Sequence, residues 1–322
     1  MPPDTEPRPA NEGQGGALLA LLAGAVGISF AAIFVRLSEV GPVATAFWRL
    51  LLSLPVVWVW MRLERRANPR TVPPAGATGD ARSERRQLLV AGLFFAADLA
   101  VWHWSILYTS VANATLFANF APVFVTLGAW MVFRRRVTGL FLAGLVTALV
   151  GASGVLGSSF SLDRDHVFGD GLGILTAVFY AGYILSVAEL RARTSTATIM
   201  TWAGAVSTVV LFVVAVLSDE TLMPTSARGW WVLIGLALVS QVVGQSLIAY
   251  ALAHLPATFS SVGLMFQPVC AALLAWLLLA EPLGALQAAG GAVVLAGVVM
   301  ARMGSFSSRP SGRPPARPPS GA

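Results

Sequence analysis

A carboxylic acid lies in the middle of an apolar stretch of the chain. Asp98 is flanked by Ala96, Ala97, Leu99 and Ala100. A charged side chain at bilayer depth costs at least about 2.5 kcal/mol on insertion scales, so such a residue is expected to be paired, hydrated or functional. In a cavity, Asp98 is suited to bind a cationic group or to take up a proton. The alternatives are a structural ion pair and a neutral acid bonded to a backbone carbonyl.

Arg49 is a second ionisable residue within an apolar segment, in the sequence Phe47-Trp48-Arg49-Leu50. Its planar guanidinium suits a substrate carboxylate, and pairing with Asp98 is another possibility. The alternative is that the long side chain reaches the nearby membrane surface.

Aromatic residues follow Asp98 on the same predicted helix. Trp102 is four residues from Asp98 and shares its face, where it could stack against a substrate. The alternative for Trp102 is an aromatic belt at the membrane interface. His103 falls on another face and is expected to meet a neighbouring helix, with a proton relay as its functional alternative. Tyr180 and Tyr183 are weaker candidates, and we do not expect both to contact a substrate.

Amide side chains form a second group of candidates. Gln241 and Gln245, four residues apart, share one helix face, and Gln245 is the counterpart of Leu99 in a sequence repeat described below. If two halves enclose one site, these amides and Asp98 approach it from opposite sides. The alternative is hydrogen bonding between helices.

Two prolines occupy equivalent positions in two apolar segments. Pro122 and Pro268 each remove a helical hydrogen bond, so we expect helix kinks there. Asn119 and Gln267 lie within one turn of these prolines and are candidates for substrate binding beside the kinks. Simple helix curvature is the alternative.

The composition predicts the elements that position these residues. Of 322 residues, 56% are hydrophobic and 11% are charged, and the mean hydropathy is +0.74. Apolar runs of about twenty residues, the length that spans a bilayer, recur along the chain. We predict an all-α integral membrane protein of about ten transmembrane helices, at residues 17–37, 43–61, 87–107, 111–133, 138–157, 170–189, 198–217, 229–250, 257–279 and 284–302.

The sequence is internally duplicated. The segment 119–130 matches the segment 265–276 at a constant offset of 146, and the match continues through Gly144 with Gly290 and Gly151 with Gly297. Five spans per copy is an odd number, so the second copy must enter the membrane from the opposite side. The prediction is two inverted five-helix repeats, with these limits: a disordered N-terminus at 1–16, a first repeat at 17–157, an outer linker at 158–169, a second repeat at 170–302 and a disordered tail at 303–322.

The distribution of arginines predicts the orientation. With the N-terminus inside, the loops after the second, fourth and sixth spans and the C-terminal tail are rich in arginine, whereas Arg36, Arg164 and Arg228 lie outside. This is the positive-inside pattern, so the pI of about 10.6 reflects orientation and not nucleic-acid binding. We expect a multi-pass protein of the plasma (inner) membrane with both termini in the cytoplasm.

The residues also argue against chemistry of other kinds. The lone cysteine, Cys270, excludes an internal disulfide, and the sequence has no nucleotide-binding loop and no HExxH or CxxC metal pattern. The three histidines fall on different segments without ligand spacing. We therefore expect neither an enzyme nor a metal or cofactor.

Several sequence motifs resemble those of the drug/metabolite transporter superfamily, in its EamA-type branch. They are 34–37 leading to Gly41-Pro42, 47–49, 120–122 and 267–282, followed by Gln287 and Gly290-Gly291. The resemblance implies ten spans in two inverted halves and the movement of small metabolites, often outward. One departure is Arg135, which stands where the second copy has Glu281.

We therefore predict a secondary active transporter that exports small metabolites, such as amino acids or related compounds, by alternating access. A proton-coupled drug or nucleotide-sugar carrier of the same fold is the alternative, and a non-transporting scaffold or sensor is a third. The expected partners are a small-molecule substrate and the lipid bilayer, with no nucleic acid; a homodimer is left open.

Overall fold

A computed structural model describes residues 10–67, 78–109, 111–134, 137–156, 166–280 and 283–306, and within these ranges the chain is helical without a β-strand. Residues 1–9 and 307–322 of the predicted termini lie outside the described residues, as do Arg135 and Glu281. The helices are α1 (Ala10–Arg36), α2 (Pro42–Ala67), α3 (Thr78–Tyr108), α4 (Val111–Ala118), α5 (Ala121–Phe133), α6 (Gly139–Leu156), α7 (Val167–Leu190), α8 (Thr196–Leu217), α9 (Ala227–Gly235), a π-helical segment (Leu236–Gln245), α10 (Ser246–Ala251), α11 (Ala257–Gly263), α12 (Phe266–Leu279) and α13 (Ala285–Phe306).

Ten segments in the described ranges are long and apolar enough to cross a membrane. Spans 1 to 3 are α1 to α3, and spans 5, 6, 7 and 10 are α6, α7, α8 and α13. Span 4 joins α4 and α5, span 8 joins α9, the π-helical segment and α10, and span 9 joins α11 and α12. The predicted all-α fold of about ten spans is confirmed. Both end helices continue past the predicted repeat limits, since α1 begins at Ala10 and α13 ends at Phe306.

Packing between the spans follows the inverted repeat. Span 3 packs on span 6, and their repeat counterparts, spans 8 and 1, also pack on each other. Span 4 packs on span 6 in the same way that span 9 packs on span 1. Spans 2 and 7, which are counterparts of one another, form a pair, as do spans 5 and 10. Each of these helix pairs is therefore related to its counterpart by a pseudo-two-fold axis.

Spans 5 and 10 meet along a seam of small residues that requires glycine. A Cβ on Gly144 would lie 2.7 Å from the carbonyl oxygen of Gly297, and a Cβ on Gly297 would lie 2.7 Å from that of Gly144. Gly151 and Gly290 stand in the same mutual relation, again at 2.7 Å. The backbones thus approach as closely as in small-residue membrane interfaces.

Three spans depart from a regular α-helix. Span 4 is interrupted between Ala118 and Ala121, just before Pro122, and span 9 between Gly263 and Phe266, just before Pro268. Proline at the start of a helix removes no bond that the helix would otherwise make, so each break is placed where proline is tolerated. Span 8 widens into the π-helical segment, a form that is often found at functional sites.

Candidate functional site

A buried polar cluster lies between the two halves at the level of the π-helical segment. Arg49, seven residues into α2, is 9% exposed, and its Nε donates a hydrogen bond of 2.9 Å to Oε1 of Gln241. Gln241 is 1% exposed and belongs to the π-helical segment of span 8. This bond joins a charged residue of the first repeat to an amide of the second, so the side chains of both halves meet in one place.

Asp98 of α3 faces the same cluster. The carboxylate is 9% exposed and interacts electrostatically with Arg49. Within the described part of the chain, Asp98 has no hydrogen-bond partner and forms no contact salt bridge. Its oxygens are not among the sealed side-chain atoms that lack a partner. The carboxylate is therefore accessible to water, while it remains within the field of the guanidinium.

Amide and phenol groups of the second repeat complete this side of the cluster. Gln245 is 2% exposed and donates from Nε2 to the hydroxyl of Tyr183 over 3.1 Å. The Tyr183 ring stacks on Phe95 at a centroid distance of 4.5 Å, one turn before Asp98. Tyr180 lies parallel to Tyr183, with 6.3 Å between ring centroids. Electrostatic interactions connect both tyrosines to Arg49 and Asp98.

His103 lies beside Arg49 and not apart from the site. It is 3% exposed, its Nδ1 is 2.6 Å from the carbonyl oxygen of Leu99, and it is within electrostatic range of Arg49. Its Nε2 is sealed without a hydrogen-bond partner. If Nδ1 carries the hydrogen and donates to Leu99, Nε2 presents a free lone pair. Trp102, half-buried, packs edge-on against the His103 ring at 4.9 Å.

Of the two candidates beside the helix breaks, the structure connects one to the cluster. The amide of Gln267 lies close to the hydroxyl of Tyr180, and its Nε2 is buried without a hydrogen bond of good geometry. Its backbone oxygen accepts from Ser29 of span 1 over 2.9 Å. Asn119, in contrast, lies in the break of span 4, and its Nδ2 donates to the carbonyl of Thr115 in the preceding helix α4 over 2.8 Å.

Sequence reasoning missed Phe95, and it named Tyr180 and Tyr183 of this cluster only as weaker candidates. A signal was present, because the chain has four tyrosines and two of them are three residues apart on one face of an apolar span. Phenol hydroxyls buried in a membrane need polar partners, and here the nearest are the amides of the other helices. For metal chemistry, no group of three or more histidine, cysteine or carboxylate side chains converges in the described ranges.

These features define a membrane protein of ten spans whose inverted halves enclose a buried site with both charges. The model of the EamA-like transporter family matches residues 14–157 and again residues 167–303. The chain therefore belongs to the EamA-like transporter family. Because the family model matches twice, each match covers one half of the membrane region.

Individual relatives match most of the length of this chain. The pseudopaline exporter CntI of Pseudomonas aeruginosa is 28% identical over 281 residues, which is 87% of this chain and 93% of the relative. An uncharacterized transporter of Archaeoglobus fulgidus is 27% identical, over 84% of this chain and 91% of its own. A probable terminal-alkyne amino-acid exporter of Streptantibioticus cattleyicolor is 27% identical, over 76% and 82%. A crystal structure that is 16% identical superposes with a TM-score of 0.73, over 91% of this chain and 98% of that one, and supports the fold.

Proposed function

We propose that this protein is a secondary active exporter of small metabolites, amino acids or related compounds, that works by alternating access. The observation that carries the proposal is the arrangement of Arg49 and Asp98. The two opposite charges are buried between the halves and feel each other, yet they form no contact ion pair. A ligand that bears both charges could satisfy both residues at once.

The chemistry of the cluster fits a zwitterion. The planar fork of Arg49 suits a carboxylate, and the unbonded carboxylate of Asp98 suits an ammonium group. The stacked rings of Phe95 and Tyr183 form an apolar side of the cluster, and the amides of Gln241 and Gln245 supply donors and acceptors. An uncharged molecule would give neither Arg49 nor Asp98 a charged contact partner, so it would gain less from this site than a zwitterion does.

The family and its relatives support export as the direction. Two relatives are named as exporters, one of pseudopaline and one of a terminal-alkyne amino acid. For the driving force, we propose that Asp98 binds either a proton or the substrate ammonium, so that uptake of one releases the other. His103, with its sealed Nε2, is the candidate to pass a proton towards Asp98.

The arginines support an orientation with both termini in the cytoplasm of the inner membrane. The ends of α2 and α3 near the loop between them carry Arg62, Arg65, Arg66, Arg82, Arg85 and Arg86, and the segment after α7 carries Arg191 and Arg193. The opposite face carries Arg36 and Arg228 among the described residues. We therefore assign the loops at 37–41 and 218–226 to the outer face.

Transport by proteoliposomes tests the proposal. Purified protein is first screened by thermal shift against amino acids, because a ligand that binds the native state raises its melting temperature. The ligands found are then used, in labelled form, to measure flux with and without a pH gradient. We expect Asp98→Asn to abolish flux or to remove its dependence on the pH gradient, without preventing membrane insertion.

Asp170→Asn is the matched control. Asp170 is also a buried carboxylate, but it accepts a hydrogen bond of 2.7 Å from the Thr109 hydroxyl. This variant should keep both the flux and the pH dependence. Wild-type flux and wild-type pH dependence in Asp98→Asn would contradict the proton role. An absence of flux for every ligand that stabilises the wild-type protein would contradict transport.

A further inference from the structure

On the proposed outer face, each of two loops places a glutamate against the start of the helix that follows the other loop. Glu220, in the loop between α8 and α9, accepts hydrogen bonds from the backbone nitrogens of Val43 (3.2 Å, to Oε1) and Ala44 (2.8 Å, to Oε2). These nitrogens belong to the first turn of α2, where a helix has unpaired donors and favours a negative charge. A residue of the second repeat thus caps a helix of the first.

Glu39, in the loop between α1 and α2, makes the reciprocal contact. It accepts from the backbone nitrogens of Thr225 and Ser226, each at 3.0 Å, and from both of their hydroxyl groups. Ser226 is the N-cap of α9, the first part of span 8. The Ser226 hydroxyl is the main cause that lowers the pKa of Glu39 below its usual value, against a smaller opposing effect of desolvation. Glu39 is therefore ionised at neutral pH.

Glycine makes these approaches possible. A Cβ on Gly229 would lie 2.6 Å from Oε2 of Glu39, and a Cβ on Gly41 would lie 2.6 Å from Cβ of Glu220. The backbone of Gly41 also donates to the carbonyl of Thr221 over 3.0 Å. The two loops are thus in contact through backbone as well as side chains. We call this set, Glu39 on Thr225 and Ser226 together with Glu220 on Val43 and Ala44, the carboxylate latch.

The carboxylate latch holds the first turn of α2, the helix that carries Arg49 of the buried site. Below it, Trp48 donates from Nε1 to the carbonyl of Leu222 over 2.6 Å, and its ring packs edge-on against Trp230 at 4.9 Å. The next residue of α2 is Arg49, which binds Gln241 of span 8. Spans 2 and 8 are therefore tied together twice, by the carboxylate latch at the surface and by the Arg49–Gln241 bond in the site.

On the opposite face, a glutamate of the first half also contacts the second half, since Glu84 accepts from the Thr194 hydroxyl over 3.0 Å, but it does not cap the equivalent helix. In the repeat, α8 corresponds to α2, and α8 is capped by its own Ser195, which accepts from the nitrogen of Thr198 over 3.3 Å. A local cap does not depend on where the other half lies. A cap supplied by the other half is lost when the halves separate.

We propose that the carboxylate latch is the outer gate of the transporter, closed in this structure, and that a substrate which draws Arg49 away from Gln241 favours its opening. The proposal rests on the proposed transport function and on the proposed orientation. Opening requires each glutamate to leave a helix terminus. The closed state is then stabilised by both loops, and the site opens outward when spans 2 and 8 part.

Thiol accessibility tests the gate. In a Cys270→Ala background, Asp98→Cys reports on the site, and a membrane-impermeant thiol reagent is applied to either face in oriented vesicles. We expect Glu39→Ala with Glu220→Ala to raise the labelling rate from the outer face by about thirtyfold, the factor that corresponds to the loss of two helix caps worth about 1 kcal/mol each. Labelling from the cytoplasmic face should not rise. Asp219→Asn, a carboxylate of the same loop outside the carboxylate latch, is the control and should label like the parent.

Unchanged labelling in the double variant would overturn the proposal, since the glutamates would then be simple helix caps. An equal rise from both faces would overturn it too, because it would indicate general loosening of the structure.

A second measurement uses Glu39→Cys with Ser226→Cys in the Cys270→Ala background. Oxidation to the disulfide should stop substrate flux, and a reductant should restore it. Continued flux after complete cross-linking would reject the gate. If labelling behaves as expected but no ligand is transported, the gate stands and the proposed function fails.

Discussion

The seam between spans 5 and 10 and the site between spans 2, 3, 6 and 8 come from the same duplication but have diverged differently. In the seam, Gly144 and Gly151 meet Gly297 and Gly290 in a reciprocal pattern with equal distances. In the site, the counterparts of Phe95, Asp98 and Leu99 at the offset of 146 are Gln241, Gly244 and Gln245. The repeat symmetry was kept where backbones touch and lost where polar side chains meet in the buried cluster.

Close packing explains why the second half carries no acid at the equivalent position. A Cβ on Gly244 would lie 2.9 Å from the backbone nitrogen of Ile28, and one on Gly27 would lie 2.9 Å from Cα of Gly244. A carboxylate at residue 244 would therefore separate spans 1 and 8. The charges of the site are confined to the first half, and the second half contributes neutral amides and phenols. Under the proposed function, a zwitterion would be bound in one orientation, with both charged groups towards spans 2 and 3.

The largest expected effect comes from removing Arg49, one of the two charged residues that the first half alone contributes to the site. We expect Arg49→Gln to lower transport by at least about 100-fold, equivalent to about 2.7 kcal/mol, because the substrate carboxylate loses its partner. It should also lower the melting temperature, because Asp98 is left as an uncompensated buried charge. Flux in proteoliposomes and thermal unfolding in detergent measure the two effects.

A double variant separates these two causes. Arg49→Gln with Asp98→Asn should regain much of the lost stability, with a coupling of about 0.5–3 kcal/mol, but should not regain transport. Arg62→Gln, an exposed arginine of the same helix that stacks over Trp58, is the control. Additive stability losses in the double variant would mean that Arg49 and Asp98 do not interact in the folded protein.

The second effect concerns the symmetric seam. We expect Gly151→Ala and Gly297→Ala each to destabilise the protein by about 1–3 kcal/mol, because each added Cβ meets the backbone of the facing helix. The two losses should agree within about 0.5 kcal/mol, since the two positions are equivalent in the repeat. Denaturant unfolding in detergent gives both values. Gly139→Ala, on α6 with open space around the glycine, should be neutral; clearly unequal losses at Gly151 and Gly297 would show that the seam is not functionally symmetric.

The sequence predicted the parts of this comparison that depend on local pattern. Apolar length predicted the ten spans, and the offset of 146 predicted which of them correspond. The spacing of Gln241 and Gln245 placed both amides on one buried face, although the segment is π-helical and not α-helical. None of these inferences requires knowing how one helix is rotated against another.

What the sequence could not predict depends on how helices rotate against each other. Helical periodicity placed His103 away from Asp98, but the neighbouring span brings Arg49 within electrostatic range of it. Asn119 is a polar residue near a helix break, as predicted, yet its amide nitrogen donates to the carbonyl of Thr115 in the preceding helix α4. Glu39 and Glu220 lie in short loops with no pattern of their own, and their partners are nearly two hundred residues away in the chain.

The smallest effect tests the neutral half of the site. Tyr183→Phe removes the hydroxyl that accepts from Gln245 but keeps the ring that stacks on Phe95. One neutral hydrogen bond contributes about 0.5–1.5 kcal/mol, so substrate affinity should fall by roughly two- to tenfold, while the maximal rate and the pH dependence stay close to wild type. Tyr250→Phe, an exposed tyrosine at the far end of span 8, is the matched control and should bind normally. A loss as large as that of Arg49→Gln would show that the phenol takes part in substrate or proton binding directly, and the second half could no longer be described as a neutral scaffold for the charges of the first.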